Sequence, residues 1–362
     1  MFHFLIQDDT IKGITMKQLN ERQLKILDFI KVNKSASNRQ IVEHLGDISR
    51  VTVVRDLEEL LEKDLIKKEG GGRNVCYLDN VENKLLRYID VEKYFEVSLD
   101  ERNILFGHFN FDIFKNLKDL FSKREIEGLE KLNGGYRERI KRLSDTILKK
   151  EFERLSIELS WKSSKIEGNT YSLLDAEILI KENKEAAGHK KEEATMILNH
   201  KKALDYILGN KKEFKKIDLR KIENIQKFIV EGMGIKQGIR EAPVGIVGTG
   251  YRPLDNKHQI EEAVEKVIKL VESLGNPFEK ALVLISMISY IQPFEDGNKR
   301  TSRLLGDAML LAYDVCPLSF RSVDEVDYKK AMILFYEQNN LRFFKELFVQ
   351  QFKFAVGNYF LL

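Results

Sequence analysis

Apolar residues recur at i, i+3, i+4 and i+7 over long stretches of this chain, and only five prolines interrupt them, which predicts a predominantly helical protein. The pattern is sharpest in "PFEKALVLISMISYI", which is apolar nearly all round and predicts a helix buried in the middle of a bundle. "TSRLLGDAMLLAYD" reads as helix again, so "QPFEDGNKR" between the two is a sharp turn joining core helices. Near the N-terminus, Asn20 with Gln23 opens a helix carrying Leu24, Ile26, Leu27, Phe29 and Ile30 that ends near Asn33. Ser37 with Gln40 forms a second capping pattern, and Ser49 heads a third helix after the short turn "LGDI".

Two helices joined this tightly after a first make a helix-turn-helix, with the helix that begins at Ser49 in the recognition position. "LIKKEGGGRNVCYLD" alternates around three glycines and predicts a hairpin, the wing of a winged helix over residues 16–80. The recognition helix is expected to present Ser49, Arg50, Thr52, Val53 and Arg55. Its polar members suit base edges or phosphates, and Lys67, Lys68 and Arg73 on the wing add phosphate contacts. Binding of double-stranded DNA is the expectation; a winged helix used for protein pairing is the alternative. The unit looks like the winged-helix domains of bacterial and archaeal transcription regulators.

Residues 83–150 are charged and helical in period, with a turn expected at Asn133-Gly134-Gly135 before a long amphipathic helix. They read as a connector that packs the two ends together, with dimerisation open. A palindromic DNA site would imply a homodimer.

Composition narrows the partners. With 60 basic against 57 acidic residues, the charge of +3 is too balanced for a whole-molecule polyanion binder, so contact with nucleic acid must be local. The two cysteines, Cys76 and Cys316, show no metal-ligand spacing, and no apolar run reaches the ~18 residues of a membrane span. The N-terminal "MFHFLIQDDT" is too soon interrupted by acids for a signal peptide, and a cytoplasmic, reducing location fits best.

The candidate chemistry lies in the turn. Gly297 and Asn298 fall at a helix N-terminus, where backbone amides and the dipole favour an anion. Arg300 and Arg303, three apart, can clamp phosphate oxygens. Asp296 has the wrong charge for phosphate and makes sense only with a bridging hard cation such as Mg²⁺.

"QPFEDGNKRTSR" closely resembles the signature of the Fic (Fido) family, His-Pro-Phe-x-Asp/Glu-Gly-Asn-Gly/Lys-Arg-x-x-Arg. "SSKIEGN", Ser163 to Asn169, resembles the inhibitory Ser/Thr-x-x-x-Glu-Gly/Asn motif of that family, and "GIREAPVGIVGTGYRPL" resembles its flap, an extended hairpin that aligns a target chain. The resemblance covers roughly residues 155 to 350 and implies a Fic-like helical bundle over residues 151–355 with a small β-hairpin flap. It further implies AMP transfer from ATP, with Mg²⁺, to a protein hydroxyl. Asp296 would hold the metal. Gly297, Asn298, Lys299, Arg300, Thr301 and Arg303 would surround the phosphates, and Phe294 would anchor the loop. Glu167, within Ser163 to Gly168, would deny Arg303 to the γ-phosphate, and Val244, Gly245, Ile246, Val247 and Gly248 would line up a target protein.

Gln292 departs from this pattern. It stands where the family has its histidine general base, and an amide takes no proton near neutral pH. His258 is the nearest histidine in sequence; His3, His44, His108, His189 and His200 match no ligand or triad spacing. Two readings stay open: a nucleotide-sensing transcription regulator with weakened transfer, and an auto-inhibited protein adenylyltransferase controlled by Glu167.

Overall fold

Asn20, Ser37 and Ser49 cap the first three helices of the computed structural model, which describes residues 19–361. The helices are α1 (Glu21–Asn33), α2 (Asn38–Leu45) and α3 (Arg50–Glu62). Asn20 and Ser37 close capping boxes with Gln23 and Gln40, and Ser49 Oγ accepts the Thr52 N–H at 3.2 Å. Each satisfies an amide that the first turn leaves without an intrahelical acceptor.

Strands β1 (Ser35–Ser37), β2 (Ile66–Glu69) and β3 (Cys76–Asp79) form an antiparallel sheet in the order β1-β3-β2. The wing therefore forms as expected, while β1, three residues long, is too short to show alternation in the sequence. Glycine is required at the wing tip: Gly70 has φ +85°, and a Cβ there would lie 2.2 Å from the Asn74 carbonyl oxygen. Ile26, Ile30, Ile41, Val53, Leu57 and Leu60 close a separate core for this unit. Val53 is thus a core residue and not part of the presented face. Residues 16–18 of the expected winged-helix range, His3 and the N-terminal decapeptide lie outside the described residues, as does the side chain of Arg73.

The connector is less helical than its period predicts. Residues 84–116 hold single 3₁₀ turns and the short α4 (Val91–Glu96), and Leu85, Val91, Ile113 and Leu117 are built into the main core. The expected turn at Asn133-Gly134-Gly135 is absent, because α5 (Lys123–Arg142) runs straight through it. Asn133 is fully buried; its side chain donates to the Asp314 carbonyl at 3.3 Å and accepts the Cys316 N–H at 3.1 Å. These tertiary bonds hold helical a segment whose glycines cost ~1 kcal/mol each. The chain turns instead at Leu143–Ser144, and Ser144 caps α6 (Asp145–Ile166), which runs across residue 151.

Beyond α6 lie α7 (Leu173–Glu182), α8 (Lys191–Gly209), α9 (Leu219–Ile229), α10 (Lys257–Ser273), α11 (Pro277–Ile291), α12 (Asn298–Ala312), α13 (Glu325–Gln338) and α14 (Arg342–Asn358). Every residue of α11 from Phe278 onward is buried, as its all-round apolar sequence predicts. It packs closely on α12, where a Cβ at Gly306 would come 2.5 Å from the Ile285 side chain. The expected hairpin in the flap is not formed. Residues 244–250 are extended around a turn at Val247–Gly248, without ladder bonds, and Val247 is 96% exposed. Gly245, Gly248 and Gly250 supply no side chains to stabilise a strand pair, and the stretch is held at its ends and by Arg102, whose Nη1 donates to the Gly248 carbonyl at 3.0 Å. Among the described residues, no helix is long and apolar enough to cross a membrane.

Candidate functional site: an anion pocket on the α11–α12 turn

The turn is built around its own side chains. Gln292 caps α11 in the left-handed region at φ +51°. Asn298 folds back on Phe294, accepting its N–H and donating to its carbonyl, both at 2.8 Å. Phe294 is fully buried, and Gly297, at φ +83°, sits where a Cβ would lie 2.8 Å from Ile229. These contacts brace the turn from within. The amide of Gly297 is spent on Asp296 Oδ1 at 2.6 Å, so the amides left for an anion are those of the first turn of α12.

A cavity of about 530 Å³ opens over this turn. Gln292, Asp296, Gly297, Asn298, Lys299 and Arg300 form its floor, Val244 to Gly248 one wall, and Glu167 and Tyr328 others. Arg300 is buried and pairs with Asp296 at 3.1 Å, whose side chain is 55% exposed. Thr301, expected at the phosphates, is fully buried and does not line the cavity.

Arg303 is not on the cavity surface either, because Glu167 stands in front of it. Its Nη2 donates to Glu167 Oε1 at 2.9 Å and to the Ser163 carbonyl at 2.8 Å, and its Nε donates to Ser163 Oγ at 2.9 Å. Lys299 Nζ lies 3.6 Å from the other Glu167 oxygen. Gly168, at φ +98°, ends the α6 turn and leaves Glu167 at the helix C-cap. Among the described residues the buried Nη1 atoms of Arg300 and Arg303 have no hydrogen-bond partner, and that of Arg300, on the cavity floor, is an orphaned donor that an anion would satisfy.

Burial pushes the Glu167 carboxyl up, but Arg303, Lys299 and the hydrogen bond from Arg303 outweigh it and hold the group below its ordinary value. A carboxyl with a depressed pKa keeps its pairing throughout the range above its ordinary value and loses it only as pH falls through the lower, folded value. A ¹³C titration of the Glu167 carboxyl, assigned with Glu167→Gln, is expected to show a midpoint below ~4.3. A midpoint above that value would contradict a latch in which the ionised Glu167 carboxylate holds Arg303.

The histidines do not fill the place of a base. His258 is 91% exposed on the first turn of α10, away from the cavity lining. His200 is fully buried, and burial, then Arg303 and Arg300, hold its pKa well below the ordinary value. Gln292 donates its amide to the Ser289 carbonyl at 2.6 Å.

Two positioning residues escaped the sequence reading. Arg240 is buried, donates to the Gln292 carbonyl at 2.7 Å and to Ala242 at 2.8 Å, and reaches the Leu254 carbonyl, tying the turn to the flap. Glu337 accepts Thr249 Oγ1 at 2.7 Å, the Gly250 amide at 3.1 Å and Tyr94 O–H at 2.7 Å, holding the far end of the flap. Locally, nothing separates either from a solvated surface charge.

On the winged helix, Ser49, Arg50 and Arg55 are exposed and Thr52 is half-buried. Lys68 is exposed, while Lys67 is half-buried and pairs with Glu69 at 3.1 Å.

Residues 216–310 match the Fic/DOC family, and residues 22–77 match the DeoR-like helix-turn-helix domain. The chain carries a Fic domain. A DeoR-like helix-turn-helix domain precedes it. Similar solved structures include Fic-1 (residues 134–508) from C. elegans, at 16% identity and TM-score 0.55 over 65% of this chain and 70% of that one. A Fic domain containing signalling protein from Bacteroides thetaiotaomicron matches at 17% identity and TM-score 0.53 over 63% and 95%. A Fic family protein from Desulfovibrio desulfuricans matches at 20% and 0.52 over 66% and 74%. At these identities the likeness establishes the fold, and the site's chemistry rests on the residues of this chain.

Proposed function

We propose that the Fic domain binds ATP with Mg²⁺ in the cavity, and that the winged helix binds double-stranded DNA. The protein would then be a nucleotide-sensing transcription regulator in the cytoplasm whose adenylyl transfer is weakened. The observation that carries this reading is Gln292: the loop is otherwise complete, yet the side chain at its head is pinned to a carbonyl and has no basic nitrogen. A missing base removes ~10²–10⁴-fold of rate while leaving binding intact.

The donor set fits a magnesium triphosphate. Among the described residues, no group of three or more His, Cys, Asp or Glu could hold a metal alone, so a cation at Asp296 would take further oxygens from the phosphates. First-turn amides, Arg300 and Lys299 would hold those phosphates. Val244 to Val247 would present their backbone edge to a target protein, with Gly248 beside them held by Arg102.

The ion pair between Glu167 and Arg303 favours a second reading, an auto-inhibited adenylyltransferase, because a carboxylate over the phosphate site is useful where transfer must be restrained. Calorimetric titration of the full-length chain with ATP and excess Mg²⁺ tests the shared core of both. Saturable binding is expected, weakened about tenfold or more by Arg300→Ala in a variant that still melts cooperatively. No binding, or binding indifferent to Arg300, would remove both readings.

A further inference from the structure

Two valines on the leading turns of α3 face solvent: Val51 is 80% exposed and Val54 37%. Valine suits a solvated helix face poorly, since it loses rotamer freedom and here buries little in return. The core of the unit is served by Val53, Leu57 and Leu60, all fully buried on the other side of α3. Val51 and Val54, three apart, lie side by side, and the exposed Arg55 and Arg50 stand four positions from them on either flank. The hydroxyls expected to read bases are engaged with each other, with Ser49 Oγ and Thr52 Oγ1 2.8 Å apart. What α3 offers a partner is therefore an apolar pair between two cations.

We propose that Val51 and Val54 contact thymine 5-methyl groups in the major groove, and so make the protein selective for thymines at neighbouring base pairs. The inference rests on the DNA-binding reading of the winged helix. The thymine methyl is the apolar feature that the major groove presents, and the N-terminal residues of a recognition helix are those that reach it. Three helical residues advance ~4.5 Å along the axis and one base step ~3.4 Å, so the two side chains address adjacent steps. The flanking arginines meet phosphate or guanine, which explains why charge and apolar surface alternate on this face.

The test starts from duplexes selected out of a random-sequence pool by the full-length chain at low salt. Thymines in the selected consensus are then replaced singly by deoxyuridine, which removes the methyl and leaves base pairing unchanged. Fluorescence anisotropy is expected to show about fourfold weaker binding at one or two adjacent positions, the worth of one buried methyl. Val51→Ala, which leaves the core untouched, should weaken the thymine duplex by a similar factor and abolish the sensitivity at its position. Binding indifferent to every deoxyuridine, or deoxyuridine and Val51→Ala effects that simply multiply, overturns the inference and leaves the DNA reading standing. Failure to select any duplex overturns both. If deoxyuridine is without effect and Val51→Ala changes the sedimentation of the protein, the valines belong to a protein interface and the inference is wrong.

Discussion

Gln292→His combined with Glu167→Gly is expected to raise transfer of label from α-labelled ATP onto protein by about 10²–10⁴-fold over Glu167→Gly alone. The reaction would join a target hydroxyl oxygen to the α-phosphorus, expel pyrophosphate and leave the hydroxyl proton to be taken up. In the present chain Gln292, at the head of the loop, cannot take that proton. Gln292 lines the cavity, is held at the α11 C-cap in a left-handed conformation, and donates to the Ser289 carbonyl. A histidine here could use one ring nitrogen for that donation and turn the other toward the cavity, which fixes its tautomer as well as its position. The surrounding groups are already in place, since Asn298 locks the turn and Arg300 is held by Asp296. The comparison is read by autoradiography of purified protein with Mg²⁺. Equal labelling of the two variants would mean that position 292 does not limit transfer, and robust labelling by the unmodified chain would sink the sensor reading.

Glu167→Gly alone is expected to tighten ATP binding by about tenfold or more while changing ADP binding little. The carboxylate occupies Arg303 and draws on Lys299 as well, so its removal returns one buried guanidinium and one ammonium to the phosphates. Only the γ-phosphate would compete for Arg303, which is why the diphosphate should be nearly indifferent. The same change should lower the melting temperature of the nucleotide-free protein. Leaving a buried charge without its partner costs up to about 3–5 kcal/mol, moderated here by the two bonds that Arg303 keeps to Ser163. Calorimetry with each nucleotide and a thermal melt check both parts. If ADP gains as much as ATP, the latch does not discriminate the third phosphate.

Much of the fold was legible because its causes are local. The capping boxes at Asn20 and Ser37, the Ser49 cap, the glycine wing and the all-apolar α11 each act over a few residues, and each stands where the pattern put it. The contacts inside the turn are local in the same way, since Asp296, Gly297, Asn298 and Arg300 sit within one turn of each other and bond there. The failures share the opposite property. Asn133-Gly134-Gly135 has the local signature of a turn, yet remote carbonyl and amide partners near residue 315 keep it helical. The flap hairpin was implied by the resemblance alone, and Arg240 and Glu337 instead fix the ends of the stretch through bonds to remote residues.

Caps, periodicity and turn residues exert their free energy within about four positions of the chain, which is why the helix starts and the tight turn before α12 can be read directly from the residues. Which charges meet follows from packing between distant segments. Glu167 and Arg303 are 136 positions apart, and their pairing exists because the end of α6 packs beside the first turns of α12. Burial then strengthens that pairing by removing competing water, which no local pattern encodes. Burial within the bundle likewise withdrew Thr301 from the face assigned to it, and the separate core of the winged helix withdrew Val53 while leaving Val51 and Val54 exposed between two arginines.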